Sequence, residues 1–477
     1  MVCDAETGEV LRQGSARHPS GTEIHPELWW QAFRKATTGG LLADVQAIAV
    51  GGQQHGMVTL DGAGEVVRAA LLWNDTRSAA AARDLVEDLG GPTAWANAVG
   101  SVPVASFTVT KLRWLAQHEP WLADRVQHVL LPHDWLTGRI MGDGAIQRGS
   151  GVTDRGDASG TGYWSPLTEQ YRTDLLELAF GRPVGTPRVL GLYEAAGETP
   201  RGMLVAAGTG DNMSAALGLG LEPGDVVVSL GTSGTVFGVH TAPTTDTTGT
   251  VAGFADATGR FLPLVCTLNA ARVLTTAATM LSTDLPGLDR LAMSAEPGAG
   301  GLILLPYLDG ERTPDLPDAT GTLGGLTRTN AIPENLARAA VEGMLCGLAD
   351  GMDALRAQGL KTRRVLLIGG AARSQSVQEI APTIFGASVT VPVPLEYVAI
   401  GAARQAAWTL GAAIGKSEFP DWTSYTSAVF PLGDAASGER VRNAYGQLRG
   451  TVHPSRSRPA AEVDRRQRSG RAHHESV

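Results

Sequence analysis

Cysteine is scarce and unpaired in this 477-residue chain: Cys3, Cys266 and Cys346 are widely spaced and form no CxxC pair. Such a set argues against a disulfide frame or a cysteine zinc site and fits thiols kept reduced inside a cell. No apolar run is long enough to span a bilayer, and the N-terminus lacks the basic, apolar, small-residue order of a secretion signal. Cytoplasmic localisation, with no membrane partner, is therefore expected. Positive charge is also short, with Lys and Arg together at 39 against 48 Asp and Glu, a net charge of -9. A surface built to neutralise a phosphate backbone needs the opposite balance, so nucleic acid is not an expected partner. The glycine turn at 231–234 lacks a GK[ST] after it, which excludes a Walker-type phosphate loop there.

What is present suits a soluble globular protein: 43% hydrophobic and 18% charged residues, in a chain long enough for two or three lobes. Short β-branched runs alternate with longer helical stretches. Val45–Val50 reads as a strand ending at Gly51-Gly52, Val66–Leu72 as another, and Ser78–Leu89 as an alanine-rich helix stopped by Gly90-Gly91-Pro92. Lys111–Gln117 reads as a helix, Val129–Leu131 as a strand running into a polar turn at Pro132-His133-Asp134, and residues 149–165 as a long loop or lid. The pattern restarts with a strand at Met203–Ala207, a helix at Asp211–Leu219, a buried strand at Val226–Leu230, and a strand at Arg364–Ile368 with a helix from Ser374. Strands that end in glycine turns are the pattern of α/β units binding ligands at their carboxyl ends, and two such sets split near residue 221 predict two lobes facing a cleft. The expected division is 1–221, 222–450 and a basic tail at 451–477. The tail is Arg-, Ser- and Pro-rich without interleaved aromatics, so it reads as solvated disorder and not as a nucleic-acid arm.

Five short segments carry the chemistry. In Val226–Gly234 (VVVSLGTSG) a tight glycine turn can aim backbone N–H groups of Gly231, Thr232 and Ser233 into one concavity suited to phosphate oxygens; the alternative is a plain strand-to-strand hairpin. In Leu366–Ser374 (LLIGGAARS) the glycines let a flat ring approach the backbone, or simply let a helix pack closely on its strand. In Thr209–Asn212 (TGDN), Asp211 is placed to accept a proton from an alcohol, or to act only as a helix N-cap. Gln54 and His55 of GQQHG offer donors and acceptors to a polyhydroxylated ligand, although a lone His is more often structural. Trp73 of LLWNDTR offers a flat wall to the C–H face of a sugar, or is a half-buried core aromatic, and Asp75 and Arg77 are expected to pair locally.

Taken together and in this order, these segments resemble the FGGY family of carbohydrate kinases, over nearly all of residues 2–450. Ser106–His118 (SFTVTKLRWLAQH) resembles the family's first extended signature and Gly321–Glu342 (GTLGGLTRTNAIPENLARAAVE) its second. GQ-x-HG, LLWNDTR, TDRGDASGT (Thr153–Thr161), GDN, SLGTSG and PYLxGERTP (Pro306–Pro314) point within the family to the members that phosphorylate D-xylulose. The resemblance implies an α/β, two-lobed actin-like ATPase (ribonuclease H-like) fold with a central cleft, binding a small-molecule sugar and ATP with Mg2+. It implies Asp211 as the general base, Gln54, His55 and Asn212 around the ketose, Gly231, Thr232 and Ser233 at the ATP phosphates, and Gly370, Ala371 and Ser374 at the adenosine. No residue is assigned to the metal. The resemblance leaves the oligomeric state open, a homodimer included.

Family members open with a strand–turn–strand bearing Asp-x-Gly-Thr, whose Asp helps place the metal and whose turn binds phosphate. Here Met1–Glu9 resembles the far end of that second strand, so about fifteen residues are expected ahead of Met1, since a missing strand leaves backbone groups of its neighbour unpaired. A start placed too late in a GC-rich gene is the expected cause. The competing expectations are a kinase of another ketose or polyol, and a truncated homologue that binds sugar or nucleotide without turnover.

Overall fold

The computed structural model describes residues 1–144, 151–422 and 427–454. Its first part is built from short strands. β1 (Val2–Cys3) and β2 (Val10–Arg12) form an antiparallel hairpin whose turn is held by the Asp4 carboxylate, which accepts from Glu6 N at 3.0 Å and Thr7 N at 2.8 Å. The strand expected at 45–50 shortens to β3 (Ala47–Ile48), and the glycines beyond its expected end form β4 (Gly51–Gly52). Further along, the helices that bear on the site are α1 (Thr108–His118) and α2 (Pro132–Met141).

Pro132-His133-Asp134, expected to be a turn, is instead the first turn of α2. Proline at the first helical position sacrifices no bond, and Asp134 accepts from Leu131 N at 2.7 Å, which fixes the helix start. Of the long loop or lid expected at 149–165, the lid is overturned from residue 151 onward. A two-residue strand at Val152–Thr153 and a helical turn at Arg155–Ala158 run through buried ground, because the Asp154 side chain caps that turn and their neighbours seal it from solvent. The 66–72 strand shortens to Ala70–Leu71.

β5 (Ala195–Glu198) pairs antiparallel with β6 (Leu204–Ala206), which runs parallel to β3; β7 (Thr209–Gly210) runs parallel to β4, with Thr209 opposite Gly51 and Gly210 opposite Gly52. α3 (Asp211–Leu219) starts directly from β7 and has the predicted boundaries.

The second part is one seven-stranded sheet. Its members are β8 (Asp225–Leu230), β9 (Gly234–Gly238), β10 (Ala252–Ala255), β11 (Phe261–Thr267), β12 (Arg364–Ile368), β13 (Val389–Pro392) and β14 (Ser427–Phe430), in the order β10-β11-β9-β8-β12-β13-β14. Within it, only β8–β12 and β12–β13 are parallel pairs. The period of two sorts β8 cleanly: Val226, Val228 and Leu230 face a core formed with α4 (Pro333–Ala357), while Val227 faces the first part, with Phe107, Leu112 and Met213. Each such Val or Leu, fully buried, contributes about 1.5–3 kcal/mol. The second core also takes in α5 (Gln375–Phe385), with Val377, Ile380 and Ile384 buried.

The chain then returns. α6 (Tyr397–Ala413) packs along α3, β3 and β6 of the first part. The two helices meet at glycines: a Cβ on Gly401 would lie 1.7 Å from Ser214 O, and one on Gly218 would lie 2.1 Å from Tyr397 O. Ser214 Oγ donates to Val398 O at 2.7 Å, and Gln405 Nε2 donates to Gly208 O at 3.0 Å. A groove of about 700 Å³ lies between α6, β3 and the β1–β2 hairpin. The last helix, α7 (Ala435–Val452), runs into the first residues of the expected tail, while the tail's 455–477 lie outside the described residues.

Candidate active site

Because β4 and β7 are parallel neighbours, their carboxyl ends coincide, and the residues just beyond both strands are delivered to one place. After β4 come Gln54 and His55; after β7 come Asp211 and Asn212. Asp211 Oδ1 accepts from Asn212 N at 2.8 Å and from Asn212 Nδ2 at 3.0 Å, and Asn212 Nδ2 also donates to Gln54 Oε1 at 3.2 Å. Asp211 is not the helix cap. Gly210 holds that position, so the carboxylate is free to face outward from the first helical residue. Burial pushes its pKa up to about 6, against two backbone hydrogen bonds that pull it down. Gln54 is buried, and its Nε2 has no partner, which leaves a donor available to a ligand.

His55 sits in a left-handed conformation, φ 67°, which costs a non-glycine residue about 1–3 kcal/mol unless its surroundings hold it. They do. Its carbonyl accepts from Thr108 Oγ1 at 3.1 Å and from Lys111 Nζ at 3.4 Å, and its Nδ1 lies 2.6 Å from Gly160 O. Burial, and then the Lys111 charge, lower its pKa to about 3. A neutral ring that donates from Nδ1 leaves Nε2 as a bare acceptor. Lys111, from the SFTVTKLRW signature, is fully buried with its ammonium on the carbonyls of His55, Ala105 and Ser106, and burial brings its pKa down to about 7.

Across the cleft, β8 and β9 are joined by the SLGTSG turn, so the hairpin alternative describes its local geometry. Its Gly231 and Ser233 nevertheless line the same cavity. A third wall comes from GERTP. Glu311, buried, accepts from Leu268 N at 2.6 Å, Arg312 N at 2.7 Å and Asn269 Nδ2 at 3.0 Å; Thr313 Oγ1 donates to Cys266 O at 2.7 Å. This locks the turn to the end of β11 and leaves Arg312 facing the cavity.

The cavity holds about 300 Å³, and Gln54, His55, Trp73, Asp211, Asn212 and Arg312 are among its walls. Trp73 is 46% exposed at the cavity wall and is not a core aromatic. Of the residues singled out from sequence, Gln54, His55, Trp73, Asp211, Asn212, Gly231 and Ser233 converge there. Thr232 is exposed at the tip of its turn. Gly370 and Ala371 lie in a 3-10 turn after β12, off this cavity, and Ser374 caps α5 by accepting from Val377 N at 3.3 Å while donating to Asp289 at 2.5 Å. Asp75 and Arg77 pair at 2.9 Å, as expected.

Sequence reading missed the layer behind Asp211. His133 is enclosed by Asp134 and Asp157, and Asp154 Oδ2 accepts from Thr209 Oγ1 at 2.7 Å. TDRGDASGT supplies two of these carboxylates, yet nothing in its spacing says that Asp157 meets His133 or that Asp154 meets Thr209. Arg312 belongs to the PYLxGERTP motif, which by itself gives the side chain no role.

A cleft between two α/β parts, with a carboxylate on one side and a glycine turn on the other, defines a two-lobed ATPase of the actin-like class. The model of the FGGY family of carbohydrate kinases, N-terminal domain, matches residues 6–218, and that of its C-terminal domain matches 226–410. A xylulose kinase of Streptomyces coelicolor is 45% identical over 97% of this chain and 95% of its own, and one of Streptomyces rubiginosus is 48% identical over 86% and 85%. The crystal structure of xylulose kinase from Bifidobacterium adolescentis superposes with a TM-score of 0.87 at 44% identity, covering 94% of this chain and 96% of that one. The chain belongs to the FGGY family of carbohydrate kinases. It is a sugar kinase, a phosphotransferase that uses ATP and an alcohol acceptor.

Proposed function

We propose that this protein transfers the γ-phosphoryl group of ATP to the terminal hydroxyl of D-xylulose, giving D-xylulose 5-phosphate and ADP. The observation that carries this reading is the single cavity in which Asp211 and the Gly231–Ser233 turn meet across the cleft, in a chain close to named xylulose kinases along its length. Asp211 is the general base: with a pKa near 6 it is mostly ionised at neutral pH yet basic enough to take the hydroxyl proton as the new O–P bond forms and the bond to ADP breaks. Gln54 Nε2, His55 Nε2 and Asn212 hold the ketose hydroxyls, and Trp73 covers a C–H face. Gly231, Thr232 and Ser233 cradle phosphate oxygens, and Gly370, Ala371 and Ser374 border the adenosine. Residues 1–221 and 222–450 form the two lobes, and the unpaired thiols favour the cytoplasm.

Among the described residues no three His, Cys, Asp or Glu side chains are grouped to hold a metal. Asp211 is the one carboxylate among the described residues on the cavity wall, an oxygen donor that fits Mg2+ carried in on ATP phosphates. When bound, Mg2+ offsets charge on the phosphates.

The test is a coupled ADP-release assay across D-xylulose, ribulose, glycerol and gluconate. The highest kcat/KM is expected on D-xylulose; a clear preference for another acceptor overturns the choice of sugar, and no turnover on any of them overturns the reading as a kinase.

A further inference from the structure

Arg312 is the one arginine or lysine among the described residues lining the cavity, as Asp211 is the one carboxylate. The two do not pair. No described ion pair or hydrogen bond uses the Arg312 guanidinium at all, although it is half-buried. Other sheltered arginines of this chain are held by acceptors: Arg68 by Glu23 and Glu119, Arg155 by Glu169, Arg338 by Glu342, and Arg182 by the carbonyls of Ala123, Val126 and Pro183. A sheltered cation without a counter-charge is costly, and it stays only where the surrounding structure imposes it. Here the surroundings do impose it. The adjacent acid, Glu311, is spent on Leu268 N, Arg312 N and Asn269 Nδ2, and Asn269 Nδ2 also donates to Gly310 O at 2.7 Å, so the backbone is fixed and the guanidinium is left pointing at the cavity.

We infer that Arg312 forms a phosphoryl subsite, binding first the γ-phosphoryl group of the nucleotide as it is transferred and then the phosphate of the sugar product. This rests on the kinase reading above. A guanidinium is a permanent cation whose planar fork matches two phosphate oxygens, and it gains most when charge spreads over those oxygens during transfer. Burial is the main cause of the lowered His55 pKa and the raised Cys266 pKa, and the Arg312 charge reaches both, adding to the first and partly offsetting the second. Arg312 and Asp211 are thus an anion holder and a proton acceptor on separate walls, with room between them for the reacting groups.

The experiment compares wild type with Arg312→Gln, Arg312→Lys and Asp211→Asn. For Arg312→Gln, kcat on D-xylulose is expected to fall about 10³-fold or more with KM for the sugar within threefold, in line with arginines that face a transferring phosphoryl group. Arg312→Lys is expected to recover part of the rate, because it keeps the charge and loses the fork. Product inhibition by D-xylulose 5-phosphate should weaken at least tenfold in Arg312→Gln, while ADP inhibition is unchanged; weakened ADP inhibition with unchanged product inhibition would place the residue on the nucleotide alone and overturn the product half. A kcat within threefold of wild type, or a joint loss of rate, sugar affinity and melting temperature, overturns the subsite. Binding of inorganic phosphate with ADP, read by calorimetry, separates the two readings: Asp211→Asn should keep it and Arg312→Gln lose it whichever sugar is the acceptor. Equal phosphate affinity in those two variants also overturns the subsite.

Discussion

His133 Nδ1 lies 2.6 Å from Asp157 Oδ2, and its Nε2 lies 3.2 Å from Asp134 Oδ1, with all three side chains closed to solvent. The ring fills the space behind the cleft floor: a Cβ on Gly208 would meet its Cδ2 at 2.6 Å, and one on Gly52 would meet its Cβ at 2.8 Å. Those glycines precede Asp211 and Gln54. The buried charge cluster is thus the bed on which both sides of the site rest.

Removing the cation from that bed leaves two carboxylates without it. His133→Asn is expected to destabilise the protein by about 3–5 kcal/mol, measured by urea unfolding, as for other buried pairs broken on one side. The neighbouring carboxylates raise the His133 pKa from 6.5 to about 9, against the effect of burial. A raised histidine contributes stability that is complete below the unfolded pKa and is lost as pH rises through the folded one. Burial lifts Asp134 to about 7 and Asp157 to about 6, so their protons leave first. Between pH 7 and 9 the urea midpoint of wild type should therefore fall. A flat wild-type curve would mean the ring is neutral.

Asp211 should set the acid limb of the rate profile. With its pKa near 6, kcat on the sugar acceptor is expected to halve near pH 6 and to reach its plateau above 7. Asp211→Asn should lose about 10²–10⁴-fold in kcat, the typical contribution of a general base, and keep sugar affinity by calorimetry. Retention of most of the rate would remove Asp211 from the role.

The helix carrying Asp211 is held by a glycine crossing. Gly401→Ala puts a methyl where Ser214 O now sits 1.7 Å away, and overpacking of this kind costs about 1–3 kcal/mol. Thermal unfolding should show the loss, and kcat should fall with it as α3 shifts.

Glu311→Gln replaces a four-lone-pair acceptor with a group that must point one N–H2 at existing donors. It should cost about 1–3 kcal/mol in chemical denaturation, the penalty of a buried donor left unmet. Because that carboxylate also fixes Arg312, a drop in kcat should accompany the change even though Glu311 does not line the cavity.

Much of the site is legible in one dimension. Asp211–Leu219 and Arg364–Ile368 have the boundaries their patterns announce, because alanine-rich periodicity and a β-branched run before glycine are local signals. The first turn of α2 is hidden from such a reading because Pro132, His133 and Asp134 are polar in a way that suits a loop, while a helix beginning at proline satisfies the same residues. The buried path of 152–158 is hidden for a similar reason. Gly, Ser and Asp look solvated until a histidine and Thr209 are found to receive those carboxylates.

The sequence by itself determined which residue types were available and where strands would end: a carboxylate after one glycine turn, hydroxyls and N–H groups in another, and long motifs that mark the family. Only the tertiary structure decided that β4 and β7 are parallel neighbours, that His133 meets Asp134 and Asp157, and that Arg312 is left without a counter-charge. Local propensity acts over a few residues, whereas pairing, burial and the cost of an unmatched charge depend on what the chain brings together from beyond that reach, as it does Gly51 and Thr209.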